Sequence, residues 1–195
     1  MLILGSSSVA RLELLSSVGL APDRIEKPVV DESLKQHETH QNYVRRIAKE
    51  KALSITTSDT DFLIAADTIV TKGRNILRST DDGIQAREYL KSLSGRRHNV
   101  FTAFCIKHNG LLNLNLVKTS LKMRLLTEKE INEYIASKEW VGCAGGYGIQ
   151  GRAKGFFPFI SGCFSNVIGL PLPKLISVLK GMGFSQDYNE QRNNY

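Results

Sequence analysis

The sequence is short of cysteine, proline and tryptophan, and it has no long apolar run. Its 195 residues include three cysteines, five prolines and one tryptophan. The cysteines, Cys105, Cys143 and Cys163, are an odd number without a close CxxC pair, which argues against a disulfide framework and a zinc cluster. We expect buried free thiols. No run of about 18 apolar residues and no signal-like start is present, so we expect a cytoplasmic protein without a membrane segment.

Positive charge, by contrast, is plentiful. Lys and Arg number 26 against 19 Asp and Glu, which gives a net charge of +7. A basic balance fits a polyanionic partner such as a nucleotide, a nucleic acid or an acidic membrane surface, but it fits an ordinary soluble surface about as well. The length predicts one domain or two closely packed lobes, and the 42% hydrophobic share is that of a globular enzyme.

The hydrophobic pattern switches between strands and helices along the chain. Strands are predicted at Leu2 to Leu4, Phe62 to Val70, Val100 to Lys107, Leu111 to Leu125 and Phe156 to Ile160. Helices are predicted from about Val9, and at about Gln41 to Thr57, Asp81 to Leu93, Thr127 to Lys138 and Pro173 to Met182. Asn109-Gly110 is typical of a hairpin turn. Hairpins mixed with crossover helices favour an α/β fold with a mixed twisted sheet over a helical bundle or a sandwich.

A turn of small residues joins the first strand to the first helix. Ser8 is a natural N-cap, and the unpaired N–H groups of a helix start attract anions such as phosphate. Arg11, in the first turn, could add a bidentate contact. The segment is not a P-loop, because it lacks the GxxxxGK[ST] pattern, and a merely well-capped helix is the alternative interpretation.

Four charged residues stand out, two of them, Lys51 and Asp67, in apolar surroundings. Lys51 shares the apolar face of the second helix, where it needs an anion unless its stem extends to solvent. Asp67 follows the apolar run Phe62 to Ala66 and is therefore expected near the end of a buried strand, where ligands of open α/β sheets collect. Asp31-Glu32 is an acidic pair that could share a divalent metal with Asp67. A capping or turn role is the alternative for these acids.

The stretch from Ala144 to Gly151 packs four glycines around a single amide, Gln150. Glycines let the backbone come close to a planar ligand such as a base. A flexible loop is the alternative interpretation.

Together these segments resemble the Maf family of nucleoside triphosphate pyrophosphatases, which is related in fold to the inosine triphosphate pyrophosphatases. The resemblance covers nearly the whole chain in ordered blocks. These are Leu2-Ile3-Leu4, Ser6 to Leu15, Val30 to Ser33, Arg46 to Ala52, Ala65 to Thr68, Leu93 to Thr102, Gly145 to Gly151 and Gly162 to Pro171.

The resemblance implies an elongated α/β fold with a mixed twisted sheet, flanking helices and a nucleotide cleft between two lobes. It implies one domain over residues 1–184, followed by a polar tail over residues 185–195. The implied reaction is hydrolysis of a nucleoside triphosphate to the monophosphate and pyrophosphate, with a divalent cation, Mg²⁺ or Mn²⁺, as cofactor. It also implies a homodimer, whereas a nucleic-acid partner is not expected.

Site roles carry over by position. Ser8 and Arg11 would bind phosphate, and Lys51 would steady the triphosphate. Glu32 and Asp67 would serve metal and water, with Asp67 as the proton acceptor.

The resemblance also bears on the choice of base. Thr68 and Gln150 match positions linked with that choice, and Ile149-Gln150-Gly151 resembles the branch that acts on dTTP and UTP. Two positions depart from the family pattern, and both concern substrate binding. Ala10 stands where the family usually has an arginine associated with substrate choice. Arg78 lies beside the position of a family lysine, and we hypothesise that it replaces that lysine as a phosphate ligand.

Three functional hypotheses follow. The leading one is a metal-dependent pyrophosphatase for dTTP and UTP, or for modified nucleotides. The second is a nucleotide- or nucleic-acid-binding regulator of cell division that has lost catalysis, although no RNP aromatic residues or zinc knuckles support it. The third keeps the reaction but takes deaminated purines, since the amide of Gln150 both donates and accepts.

Overall fold

A computed structural model describes residues 1–185, so the predicted polar tail, apart from Ser185, lies outside the described residues. The fold is α/β, as predicted. The strands are β1 (Leu2–Gly5), β2 (Arg24–Ile25), β3 (Phe62–Lys72), β4 (Asn75–Leu77), β5 (Arg97–His108), β6 (Leu111–Lys122) and β7 (Phe159–Ser161). The helices are α1 (Val9–Ser17), α2 (His40–Leu53), α3 (Gly83–Leu93), α4 (Glu128–Ser137), α5 (Phe164–Ile168) and α6 (Leu172–Gly181), with a short 3₁₀ helix over Arg152–Phe156.

All seven strands form one mixed sheet in the order β2-β1-β3-β5-β6-β7, with β4 paired to β3. β1 runs parallel to both β2 and β3, and the remaining pairs are antiparallel. The long strands β3, β5 and β6 form its centre. The turn at Asn109-Gly110 has positive φ at both residues, 48° and 69°, which is the geometry of a tight hairpin, as predicted.

One edge of β3 is interrupted. β1 pairs with Phe62 to Ala65, and β4 pairs with Val70 to Lys72 on the same side of β3. Within residues 1–185, the four residues between these pairings have no strand neighbour on that side, although β5 covers their other side. Asp67 and Thr68 lie in this gap.

Helices cover both faces of the sheet. The odd-numbered residues of β3, such as Leu63 and Ile69, pack against α2. The even-numbered residues face α1 and α6 at one end, as Ile64 does, and α3 and α4 at the other, as Val70 does. This alternation is that of a sheet buried on both faces.

Element boundaries depart from the sequence predictions in a few places. The helix predicted to Thr57 ends at Leu53, where Ser54 bonds back to Glu50. The strand predicted to Leu125 ends at Lys122, and Phe156 lies in the 3₁₀ helix instead of a strand. The capping box that begins at Thr127 is present in full.

The position of Asp67 was predicted wrongly. It lies in the middle of β3, paired with Ala103, and not near the end of that strand. Because β1 ends opposite Ala65, Asp67 is two residues beyond the end of β1 instead. The shorter neighbour therefore exposes a carboxylate in the middle of the longer strand.

Two further observations concern the cysteines and the expected absence of a membrane segment. Cys105 is buried, whereas Cys143 and Cys163 are half-buried, and none of the three forms a disulfide. Across residues 1–185, each helix is too short or too polar to cross a bilayer.

Candidate active site

A cleft of about 680 Å³ opens at the gap in the β3 edge. That size is in the usual range for small-molecule sites. Eight of the nine predicted site residues line it. They are Ser8, Ala10, Arg11, Glu32, Lys51, Asp67, Thr68 and Gln150.

The start of α1 forms one wall. The Oγ of Ser8 accepts from the N–H of Arg11 at 3.4 Å, so Ser8 is the N-cap as predicted. Among the described residues, the N–H groups of Val9 and Ala10 donate to no protein acceptor. Two free N–H groups at the positive end of a helix dipole therefore face the cleft, a favourable place for a phosphate oxygen.

The opposite wall carries a cluster of three charges, in which Lys51 and Asp67 are buried and Glu32 is half-buried. Lys51 Nζ lies 2.8 Å from Asp67 Oδ1 and 2.8 Å from Glu32 Oε1. Within residues 1–185, the second carboxylate oxygen of Asp67 has no hydrogen-bond donor. One oxygen of Asp67 is thus fixed by the lysine, while the other is free to bind water or a cation.

Packing of α2 explains why Lys51 points inward. Val44, Ile47 and Ala48 pack on the sheet, and Lys51 follows at helical spacing on the same face. Its side chain is only 11% exposed. Two nearby contacts hold Glu32 from behind, because the Tyr43 hydroxyl donates to its carbonyl at 3.0 Å and Arg78 donates to the same carbonyl at 2.8 Å.

Arg11 lies at the floor of the cleft with most of its donors in use. Its Nε donates to the carbonyl of Gly169, and its terminal nitrogens donate to Ser6 Oγ and Thr68 Oγ1, all at 3.0–3.1 Å. Burial lowers the pKa of the guanidinium, while Asp67 opposes that shift. Two of its five N–H groups therefore remain for a ligand.

Arg78 is the predicted site residue that does not line the cleft. Its guanidinium lies behind Glu32, 4.0 Å from the carboxylate, and over the ring of Tyr43. Its role as a phosphate ligand stays a prediction, and in this arrangement it positions the Glu32 segment.

The glycine-rich segment forms the far wall, and its backbone packs tightly on the sheet. Gly145 and Gly146 both have positive φ. A Cβ on Gly145 would lie 2.8 Å from Val70, and one on Gly146 would lie 3.1 Å from the backbone of Ala86. These contacts require glycine and fix the loop, which presents the exposed side chain of Gln150 to the cleft.

Sequence reasoning missed three charged residues that line the cleft, Glu13, Lys27 and Glu139. Lys27 follows β2, whose parallel partner β1 ends at the Ser6 turn, so recognising β2 would have placed Lys27 here. A strand of two residues gives too weak a pattern for that. Glu139 bonds to Arg152 at the loop and carried no signal in the sequence.

Glu32 and Asp67 are the residues that would hold a divalent cation. Carboxylate oxygens suit Mg²⁺ and Mn²⁺, and Mg²⁺ is usually bound by one or two carboxylates together with substrate phosphates. Over the described part of the chain, no group of three or more His, Cys, Asp and Glu side chains could hold a metal ion. The donor set therefore fits a cation that obtains its other ligands from the substrate.

Comparison with known proteins agrees with this geometry. Residues 1–182 match the family described as Maf-like protein. The chain is 40% identical over 182 residues to a dTTP/UTP pyrophosphatase of Ruegeria sp., covering 93% of this chain and 94% of that protein. It is 42% identical over 182 residues to one of Cereibacter sphaeroides, covering 93% and 95%. It is also 42% identical over 190 residues to a nucleoside triphosphate pyrophosphatase of Neorickettsia sennetsu, covering 96% and 91%. The chain belongs to the Maf family.

Proposed function

We propose that this protein hydrolyses nucleoside triphosphates to the monophosphate and pyrophosphate. The observation that carries the proposal is the charged cluster of Lys51, Asp67 and Glu32, which faces the free N–H groups of α1 across one cleft. The names of relatives about 40% identical over nearly the whole chain support the same reaction. The proposal assigns it to a unit over residues 1–184, acting in the cytoplasm.

The reaction adds one water to the α-phosphorus and breaks the bond between that phosphorus and the bridging oxygen of the leaving pyrophosphate. The free oxygen of Asp67 is the base that accepts a proton from the water. Lys51 and the two remaining N–H groups of Arg11 orient the phosphates and offset the charge that develops on the leaving group. The N–H groups of Val9 and Ala10 bind a terminal phosphate oxygen.

A divalent cation, when bound by Glu32 and Asp67, neutralises phosphate charge and makes the bound water a stronger nucleophile. This dependence is part of the proposal. It is supported by the two carboxylates that line the cleft within 2.8 Å of one lysine.

The proposed substrates are dTTP and UTP. Gln150 is exposed at the rim of the cleft, where its amide can pair with a pyrimidine edge. Ala10 lines the cleft at the start of α1, at the position where the resemblance expects an arginine associated with substrate choice. The Thr68 hydroxyl already bonds Arg11 and Thr102, so any part it has in base choice is exerted through Arg11.

Release of pyrophosphate from a panel of canonical and deaminated triphosphates tests the proposal, with Mg²⁺, with Mn²⁺ and with EDTA. We expect turnover of dTTP and UTP that EDTA abolishes. Turnover confined to deaminated purines would keep the reaction and overturn the base assignment. If no triphosphate is turned over, the proposed enzymatic activity is refuted and a binding regulator is favoured. A titration with DNA at two salt concentrations then tests that alternative.

We also propose a homodimer joined through β6. Within residues 1–185, no strand pairs with the outer edge of β6 before Ser120. The segment Leu112 to Leu116 reads the same in both directions, so a two-fold axis at Leu114 sets like side chains opposite each other. It also sets Lys118 beside the hairpin turn, where Asn109 donates to the carbonyl of Asp59. Light scattering should give twice the chain mass, and Leu114→Lys should halve it. A wild-type monomer would refute the dimer.

A further inference from the structure

Lys51 occupies the place between Glu32 and Asp67 that a divalent cation would take. Its ammonium is 2.8 Å from one oxygen of each carboxylate. Helix α2 holds the ammonium there. The Lys51 side chain is 11% exposed, and the apolar residues near it in α2 pack on the sheet. A cation that binds these same two oxygens must therefore displace this ammonium.

The charges around the carboxylates oppose a cation that arrives alone. Arg11 interacts electrostatically with both Asp67 and Glu32, and Arg78 lies 4.0 Å from Glu32. Together with Lys51, these arginines give three basic side chains around the two acidic ones. A divalent ion that arrives alone would meet more basic than acidic groups around Glu32 and Asp67, and each carboxylate would already have one oxygen paired with Lys51.

A bound nucleotide changes both the local charge and the partners available to Lys51. Its phosphates bring negative charge and oxygen ligands for the cation, and they give the Lys51 ammonium another acceptor. Lys51 can then leave the carboxylates for the phosphates, while the cation takes its place. The wider cleft does not offset the negative charge of a bare triphosphate, since it is lined by three basic and four acidic side chains. These are Arg11, Lys27, Lys51, Glu13, Glu32, Asp67 and Glu139.

We propose that Lys51 is a resident counter-cation that keeps a free divalent metal out of the cleft, so that the protein takes up the metal–nucleotide complex as its substrate. The inference rests on the proposed function, which it sharpens by naming the charged form of the nucleotide that binds. It assigns Lys51 two positions, one on the carboxylates without nucleotide and one on the phosphates with it.

Direct measurement of Mn²⁺ binding tests the inference without catalysis. The electron paramagnetic resonance signal of free Mn²⁺ is followed during titration of the protein, with and without an α,β-methylene analogue of dTTP or UTP. In the wild type, we expect Mn²⁺ to bind at least about tenfold more tightly with the analogue than without it, the effect of one opposite charge at close range. Equal Mn²⁺ affinity in the two titrations would overturn the inference. This test uses the wild-type protein alone.

Lys51→Met supplies the second arm, since it removes the charge and keeps the length of the side chain. Without nucleotide, we expect this variant to bind Mn²⁺ at least about tenfold more tightly than the wild type. Lys51→Arg should bind as weakly as the wild type, and so should Lys49→Met, an exposed lysine of the same helix. If Lys51→Met binds Mn²⁺ no better than the wild type while its circular dichroism is unchanged, Lys51 does not act as a counter-cation.

The two proposals fail in distinguishable ways. A wild type that releases no pyrophosphate from any triphosphate refutes the proposed function, whereas the Mn²⁺ titrations refute or support the role of Lys51. Calorimetry of the analogue alone and with Mn²⁺ separates nucleotide binding from metal binding. We expect the analogue to bind at least about tenfold more weakly without the metal, the effect expected of one opposite charge.

Discussion

Asp67 and Thr68 are neighbours in β3, and their side chains leave opposite faces of the sheet. On the Asp67 face, the polar groups are charged and held by ion pairs that a ligand can exchange. On the Thr68 face, a chain of hydrogen bonds runs from Arg11 through Thr68 and Thr102 to the carbonyl of Asn166. We call these the exchangeable face and the fixed face. One strand thus places a reacting group and its structural support at consecutive positions.

The two faces differ because their partners differ. The exchangeable face meets α2 and the Glu32 segment, and side chains from two separate elements can rearrange when charge is added. The fixed face meets α5, whose Asn166 is fully buried and donates to Val100 and Thr119. Buried hydrogen bonds of that kind are costly to break, so this face stays in place while the other responds.

The largest expected effect is on catalysis at the exchangeable face. Asp67→Asn removes the proposed proton acceptor and a proposed cation ligand, so we expect pyrophosphate release to fall by about 10²–10⁴-fold. The circular dichroism spectrum should stay as in the wild type. Glu133→Gln, which changes an exposed carboxylate of α4, is the matched control and should keep full activity. Wild-type turnover by Asp67→Asn would remove this residue from its assigned role.

Arg11 belongs to the fixed face and also lines the cleft, so its removal should affect both stability and activity. Arg11→Ala deletes three hydrogen bonds and leaves the buried acceptors at Gly169 and Thr68 without a donor. We expect the free energy of unfolding, measured with urea, to fall by about 2–4 kcal/mol. Arg11→Lys should recover only part of this, because an ammonium cannot reach three separate acceptors. An unchanged unfolding midpoint would show that Arg11 is not part of the fixed face.

His98 provides a pH test of the fixed face. It is buried, it pairs with the Tyr147 hydroxyl at 2.8 Å, and burial lowers its pKa from 6.5 to about 4. Between those values the unfolded chain binds a proton that the folded chain does not. The free energy of unfolding should therefore fall as the pH drops below 6.5, by about 2 kcal/mol near pH 5.

His98→Gln isolates the contribution of this histidine. Glutamine keeps a polar group for Tyr147 and does not titrate, so this variant should lose less stability than the wild type over the same pH interval. Urea unfolding at neutral pH and near pH 5 makes the comparison. Parallel losses in the two proteins would mean that His98 titrates normally in the folded state.

The smallest expected effect comes from Thr102→Val. The change removes the hydroxyl that joins Thr68 to the carbonyl of Asn166 and keeps nearly the same shape. We expect a loss of about 1–2 kcal/mol in the free energy of unfolding and little change in turnover. If turnover fell as far as it does in Asp67→Asn, the division between the two faces would be wrong.

Local signals predicted much of this arrangement. The Ser8 cap and the Asn109-Gly110 hairpin follow from patterns within a few residues. Helical spacing placed Lys51 on the apolar face of α2 but left open whether its ammonium points inward or to solvent. The uncovered stretch of β3 was not predictable, because it depends on where β1 and β4 end relative to a third strand. The short strand β2 was missed because two residues give too weak a pattern, and Glu139 was missed because its contact with Arg152 forms only in the folded chain. The partners of Arg11, from Ser6 to Gly169, are likewise formed only in the folded chain.

The packing of Gly145 and Gly146 against Val70 and Ala86 has a consequence for how this enzyme can evolve. The loop backbone has no room for a side chain at either position, so its path through the cleft is fixed. Gln150, by contrast, is exposed and can be exchanged without moving that backbone. If Gln150 reads the base as proposed, substitutions at this exposed position can alter substrate preference while the tightly packed backbone of Gly145 and Gly146 stays in place.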